Sequence, residues 1–315
     1  MLAHAGSRAT LFVRPEKGLA ERVWDSRISY AFIFPSLILV LTFMYWPTFS
    51  GIFYAFTDWQ PGLERLNFVG LDNFTAMLTD EYLKTSFVNV GIIVSTTVIK
   101  DLTVPLIVAE LIFHLHSRRA QYWFRTLFVV PMVMPAIAII LLWIQIYDPN
   151  IGLLNQSLDL IGLSSWKHSW LGEDGVALWS IVLMGFPWVS VLPFLIYLGG
   201  LMAVPLDIFD AATVDGAGTF RRIWNIDLPL LMGQIKLLLV LAIIQGMQAF
   251  FYILVMTQGG PFHSTTVPAL EMYYAAFQHS KYGYACAIAL VLFVVVMAIT
   301  VVNMTYLKSE VDYEA

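Results

Sequence analysis

Six stretches of this sequence, residues 28–51, 86–113, 122–147, 176–201, 229–256 and 284–307, are each apolar over more than the roughly 20 residues that a helix needs to cross a bilayer. Backbone in hydrocarbon must satisfy its own hydrogen bonds, so runs of this kind fold as helices. The expectation is an all-α polytopic membrane protein with six transmembrane helices. Composition agrees, since 59% of the 315 residues are hydrophobic and 12% are charged, about half the charge of a soluble domain. A chain of that make-up is not disordered, not a nucleic-acid binder and not an ordinary cytosolic enzyme. The first stretch is too long for a secretory signal and has no small-residue cleavage site, so it reads as a retained helix. Pro35, Pro47, Pro105, Pro131, Pro135, Pro187 and Pro193 fall inside the spans and predict kinks. Cys286, the one cysteine, sits in an apolar run and reads as an inert core residue.

Basic residues set the orientation. With the N-terminus inside, the cytosolic segments carry Arg8, Arg14, Lys17, Arg22, Arg27, Arg118, Arg119, Arg125, Arg221, Arg222 and Lys308. The outer side carries Arg65, Lys84, Lys167 and Lys281, so both termini are expected in the cytosol. The chain then divides into a cytosolic tail at 1–27, a six-helix domain at 28–307 and a short tail at 308–315. The outer connections are 52–85, 166–175 with its flanks, and 257–283.

The longest cytosolic connection, about 203–229, reads AVPLDIFDAATVDGAGTFRRIWNIDLP. A bare linker would be rich in Gly and Ser, whereas this one has helical periodicity. Pro205 suits a first helical turn, and Asp207 and Asp210 suit the positive end of the helix dipole. Gly216 and Gly218 interrupt the pattern, and Phe220, Ile223, Trp224 and Ile226 resume it. Two short helices meeting at a glycine corner, with apolar and acidic surface turned to the cytosol, read as a docking surface or as a helix lying on the headgroups.

The run Asp210-Ala211-Ala212-Thr213-Val214-Asp215-Gly216-Ala217, with Phe220 and Ile226-Asp227-Leu228-Pro229 after it, resembles the EAA loop of bacterial ABC-importer permeases. The resemblance implies the type I permease fold, with a coupling helix that docks into a cleft on an ATPase subunit. Carried over by position, Asp210, Ala211, Ala212, Asp215, Gly216 and Ala217 would form the contact. Asp210 stands where glutamate is usual, and Gly233 where a proline is frequent. Trp123-Phe124-Arg125, Pro131, Pro135, Trp143 and Gly152-Leu153-Leu154-Asn155 are similar to the family's third core helix and the outer loop after it. Thr257-Gln258-Gly259-Gly260-Pro261 with Thr265, Tyr274, Phe277 and Gly283-Tyr284 resembles the carbohydrate-uptake branch, the permeases of maltose-type and glycerol-phosphate-type importers. That branch implies a second, different permease chain, two ATPase subunits, an extracytoplasmic solute-binding protein and the bacterial inner membrane.

The sequence has no G-x-x-x-x-G-K-[ST] phosphate cradle, so ATP and Mg are expected on partner ATPases rather than on this chain. It has no H-E-x-x-H, no paired Cys motif and no G-x-S-x-G elbow, and neither a metal site nor a catalytic site is expected. His114 and His116 are two apart and do not share a helix face.

Sugar recognition needs hydroxyl partners and aromatic faces, and polar groups inside a membrane tend to line a cavity. By analogy with maltose-type importers, Trp188, Ser190 and Phe194 on the fourth span and Gln245, Gln248, Phe250 and Tyr252 on the fifth are the candidate substrate residues. Gln245 and Gln248, three apart, are expected on one helix face. Lys100 and Asp101 lie midway along the second span; they bridge to neighbouring helices, or Lys100 draws in an anionic substrate. Glu110 and Lys236, nearer the cytosolic ends, snorkel or pair there. The sequence thus reads as a permease subunit importing oligosaccharides, anionic ones included, or related polyols by alternating access. The rivals are a permease for a non-sugar solute and a self-sufficient secondary transporter.

Overall fold

The computed structural model describes residue 18, residues 24–62 and residues 66–306. Most of the tails predicted at 1–27 and 308–315 lie outside the described residues, as do Arg8, Arg14, Lys17, Arg22, Arg65 and Lys308. Among the described residues the ordered elements are helices, with one β-bridge between Thr57 and Phe68. The first span, α1 (Arg27–Tyr54), contains Pro35 and a π-helical turn at Leu41–Tyr45. The chain as far as Gly51 forms one unit and Ile52 onward a second.

In the second unit the short α2 (Asp72–Thr79) leads into α3 (Glu81–Phe113). Asp80 caps α3, its carboxylate accepting from the Leu83 backbone N–H at 3.1 Å. At 1.5 Å per residue α3 is about 50 Å long, well beyond the roughly 30 Å hydrocarbon core, so it reaches past the bilayer.

The third span is α4 (Arg118–Val129), a 3₁₀ turn at Val130–Val133 and α5 (Ala136–Ile146), with a 92° bend between the two parts. The expected kink is therefore close to a right angle. Met134 precedes Pro135 and is pushed to an extended ψ of 134°, as a residue before proline is. After α6 (Leu153–Leu160), the fourth span is α7 (Ala177–Leu183) and α8 (Val191–Ala203). The continuous helix expected over 176–201 is interrupted between Leu183 and Val191. The chain then turns 72° into α9 (Leu206–Val214), the predicted loop helix. The two aspartates of α9 are exposed, so it is not a continuation of the span. It is followed by α10 (Thr219–Arg222), which runs on through a π turn at Ile223–Asp227.

The fifth span divides into α11 (Met232–Met247) and α12 (Phe251–Met256). An outer helix, α13 (Pro268–Phe277), precedes the sixth span, α14 (Tyr282–Tyr306). The second unit is organised around α3, which packs against α8 and α11. One apolar cluster joins Val90 and Ile93 of α3 to Ile140, Ile181, Met247 and Ile253. A second, nearer the loop helix, joins Ala109 and Ile112 to Phe194, Tyr197, Leu201 and Leu238. Half-buried Cys286 packs in a third.

The approach of α11 to α3 is close at Gly246, where a Cβ would lie 2.9 Å from both Cα and Cγ2 of Val94. Gly246→Val should therefore destabilise the fold by about 1–3 kcal/mol. Thermal unfolding of the purified chain checks this, and an unchanged midpoint would mean that the two helices are not held so tightly.

Candidate functional site

The interruption of the fourth span follows from its sequence. Pro187 has no N–H to offer the carbonyl of Leu183, four residues earlier. Gly185 has a φ of +83° and Trp188 one of +57°, both outside the helical region. The freed carbonyls find side-chain donors. The Trp188 indole N–H donates to Leu183 O at 3.2 Å, and Lys100 Nζ donates to Val182 O at 2.8 Å. On the next residue of α3, Asp101 Oδ1 accepts from Ser190 Oγ at 2.6 Å. The two intramembrane charges thus brace both ends of the break, one of the two roles read for them, and Lys100 Nζ also lies 5.8 Å from the centre of the Trp188 ring.

This break opens a cavity of about 240 Å³ between α3, the fourth span and α11. Lys100, Asp101, Thr96 and Thr97 line one wall; Trp188, Ser190, Gln245 and Tyr252 line the others. Four of the seven residues expected to hold substrate therefore meet in one place. The other three do not. Phe194 is fully buried against Phe128 and Tyr197, a packing residue of the second cluster. Gln248 and Phe250 face a separate, more apolar cavity with Met272 and Phe293. Gln245 and Gln248, both exposed and three apart, border different cavities, and Gln248 stands at the turn that ends α11 with its N–H donating to Ile244 O at 3.1 Å. Lys100, whose draw on an anionic substrate is one of the two readings of the intramembrane charge pair, lines the cavity, whereas Asp101, Thr96 and Thr97 are outside the expected set.

The loop helix ends in a hydrogen-bonded cap. Gly216, at φ +72°, donates its N–H to Thr213 O at 3.1 Å, and Ala217 donates to Ala212 O at 2.9 Å. These are the two bonds of a Schellman motif, so Asp215-Gly216-Ala217 forms the glycine corner read from the sequence. Asp210, Ala211, Asp215 and Gly216 are exposed, and Ala217 is half-buried. Ala212 departs from the expected contact set. It is buried, three residues after buried Phe209, on the face turned to the chain's own fold. The Phe209 ring packs 5.4 Å from that of Phe113, at the end of α3.

Behind this helix lies a cluster of charges that the sequence reading did not assemble. Glu110 on α3 and His114, which caps its C-terminal end, are four apart, with His114 Nε2 3.2 Å from Glu110 Oε2. Arg222 donates to the same His114 nitrogen, and its Nε lies 3.4 Å from Asp227 Oδ2. Glu110 is only 6% exposed and Asp227 is 0% exposed, and neither carboxylate accepts a hydrogen bond. Burial raises the Asp227 carboxyl above its ordinary 3.8; the Glu110 charge adds to this and Arg222 opposes it. Glu110 is therefore buried within the fold, beside His114, rather than snorkelling. Its spacing of four from His114 was the legible clue, while Asp227 arrives only through the tertiary fold. Glu110, His114 and Asp227 have the donor types of a metal site, but the Arg222 guanidinium stands among them and makes the cluster an ion-pair network.

On the far side, the Gly-Gly-Pro loop is closed by hydroxyls. Thr265 Oγ1 donates to Gly260 O at 2.8 Å, Thr266 Oγ1 to Gly259 O at 3.1 Å and Tyr274 OH to Gln258 O at 3.0 Å. Asn89 of α3 donates to Thr266 O at 2.9 Å and ties that loop to the second span. Asn155 is buried on α6, donating to Pro149 O and His168 O and accepting from the Trp170 indole at 2.8 Å.

These elements recur in known proteins. The multiple sugar-binding transport system permease protein MsmF of Streptococcus mutans is 31% identical over 296 residues, covering 91% of this chain and 97% of that protein. The sn-glycerol-3-phosphate transport system permease protein UgpA of Yersinia pestis is 30% identical over 292 residues, covering 92% and 97%. A solved bacterial ABC transporter involved in import of the acidic polysaccharide alginate has a chain with the same fold, at a TM-score of 0.82 and 21% identity. It covers 93% of this chain and 99% of that one. Residues 102–307, which hold the broken spans and the whole loop, match one family model. The chain belongs to that family, the inner membrane components of binding-protein-dependent transport systems: multi-pass permease subunits whose transport is powered by partner ATPases.

Proposed function

We propose that this chain forms half of the translocation route of an ATP-driven importer of oligosaccharides or related polyols. The observation that carries the reading is the cavity at the broken fourth span. A discontinuous membrane helix is where transporters place their substrate sites, and this one offers an indole face with Ser190, Gln245, Thr96, Thr97, Lys100 and Asp101 around it. Aromatic faces suit the apolar side of a sugar ring, and the polar groups suit its hydroxyls. At about 240 Å³ the cavity is smaller than the roughly 300–1,000 Å³ of a complete ligand pocket. A second permease supplying the other wall accounts for the difference. The named relatives support a sugar or polyol cargo, and their anionic members fit Lys100, which gives one hydrogen bond to Val182 and keeps further donors.

The remaining parts follow the same reading. Both termini face the cytosol, so α9 docks on one of two ATPase subunits, which hold ATP and Mg, through Asp210, Ala211, Asp215 and Gly216. A solute-binding protein delivers its cargo on the side of the Gly-Gly-Pro loop. The Phe113 ring joins the loop helix to α3, and α3 carries Lys100 and Asp101 thirteen and twelve residues before it, about 20 Å away. A push on α9 at ATP binding thus reaches the bracing contacts of the cavity through one continuous helix, and alternating access follows.

Uptake of labelled oligosaccharides by the complete complex in proteoliposomes, with its binding protein, tests the proposal. Trp188→Ala should raise the half-saturating concentration of the transported sugar about three- to tenfold, the weight of one aromatic contact. Uptake of no sugar or polyol, with uptake of an amino acid or peptide instead, would contradict it.

A further inference from the structure

At the other end of α3 lies a second cavity, of about 540 Å³, bordered by the ends of α3 and α8, the start of α4 and the loop helix α9. Its polar wall carries Arg118, Arg125, Arg222, His114, His116 and Gln121, and among the described residues no carboxylate lines it. Its other wall is apolar and includes Phe113, Met202, Leu206 and Phe209. Arg222 and His114 are engaged with Asp227 and Glu110 behind the wall. Arg118 and Arg125 make no ion pair among the described residues, and Arg125 Nε is buried without a hydrogen-bond partner in the protein. A buried N–H of this kind calls for an acceptor.

Three polar residues of α4 share one face. Arg118, Gln121 and Arg125 are spaced three and four apart, and the Cα atoms of the two arginines stand about 10 Å apart along the axis, within reach of a common ligand for side chains of that length. Gln121 is held by its own bonds to Phe113 O and Leu115 O, at 3.3 and 2.8 Å. Arg118 opens α4, whose Ser117 cap accepts from Ala120 N at 3.3 Å, so the positive end of the helix adds to the field. Paired guanidiniums recognise phosphate oxygens by bidentate bonds, and basic pockets between membrane helices hold anionic headgroups.

We propose that this cavity binds a phosphate-bearing anion, gripped by Arg118 and Arg125 with its apolar part against Phe113, Met202 and Leu206. Because Leu206 and Phe209 belong to the loop helix, an occupant braces α9 from the side of the chain's own fold. The inference is independent of which solute the importer carries.

Two sources supply such a group, a phospholipid headgroup and a soluble phosphate ester, and the test separates them. The complete importer complex is stripped of lipid and offered phosphatidylglycerol, phosphatidylcholine or glucose 6-phosphate, and bound adducts are counted by native mass spectrometry. The wild type should retain phosphatidylglycerol or glucose 6-phosphate in preference to phosphatidylcholine. The Arg118→Gln/Arg125→Gln variant should lose about thirtyfold of that retention. Displacement of phosphatidylglycerol by glucose 6-phosphate identifies a soluble ester as a competent ligand, and its failure identifies the lipid. Arg118→Gln alone, a change at an exposed position, should lower retention about fivefold and decides the matter if the double variant does not assemble. Equal retention of the two lipids with no glucose 6-phosphate adduct would overturn the proposal, as would unaltered retention by the variants.

Discussion

Arg222→Ala should destabilise the folded chain by about 3–5 kcal/mol, because it leaves buried carboxylates without their cation. Arg222 is the residue that contacts both His114 and Asp227, and its guanidinium also lies 5.8 Å from the centre of the Phe209 ring. Without it, Asp227 and Glu110 share a buried site with one imidazole between them. The loss has a defined pH dependence. The Asp227 carboxyl in the folded chain sits above its ordinary 3.8, principally through burial. The folded state therefore holds a proton that the unfolded state gives up, and this group's contribution falls as pH rises from 3.8 through the folded value. Removing Arg222, which opposes that shift, moves the folded value higher still. The deficit of the variant is then largest at neutral pH and shrinks in acid, where Asp227 is protonated in both states. Thermal unfolding of wild type and variant at neutral and acid pH measures this; a deficit that is absent, or that grows in acid, would refute the ion-pair network. Arg222→Lys should recover part of the loss, since lysine restores the charge without the fork that serves two partners.

Gly216→Val should uncouple transport while leaving the six-helix domain folded. The position holds a φ of +72° and has nothing within 4 Å of where a Cβ would stand, so the effect is one of backbone conformation alone. A β-branched residue at positive φ costs about 1–3 kcal/mol, enough to unwind an exposed three-residue cap but not a packed core. Losing the bonds from Gly216 to Thr213 and from Ala217 to Ala212 frees the end of α9 and displaces Asp215. ATPase activity stimulated by the loaded binding protein should fall about tenfold or more, with an unchanged elution profile of the detergent-solubilised chain. Gly216→Asn is the control, because asparagine visits the left-handed region readily, and it should keep most of the activity. Equal activity of the valine and asparagine variants would mean that the corner does not need its left-handed residue.

What could be read from the sequence was what depends on local order. The spans, the loop helix from Pro205 and its glycine corner all follow from apolar length, dipole preference and the positions of Pro and Gly. Pro187 and Gly185 were visible too, but a proline in a membrane span predicts only a kink. That the chain breaks outright depended on Lys100 and the Trp188 indole reaching the freed carbonyls, which is a tertiary fact. The end of α11 at Met247 carries no proline to mark it, and Gln248 and Phe250, beyond it, border the second cavity. Phe194 illustrates a different limit, since an aromatic three residues into a helix packs as readily as it binds. The Glu110–His114 spacing was legible, whereas its meeting with Arg222 and Asp227 required the loop to fold back across the end of α3.

In the proposed mechanism, partner ATPases drive this permease through its α9 loop. The most direct measurement purifies the complex through a tag on this chain from cells that also express candidate ATPases, a second permease and binding proteins. ATP hydrolysis is then followed as sugar-loaded binding protein is added, with the Gly216→Val variant alongside. An ATPase subunit should co-purify, and loaded binding protein should raise turnover only when the loop is intact. A well-folded chain that purifies without any ATPase, or that transports alone on an ion gradient, would contradict this mechanism.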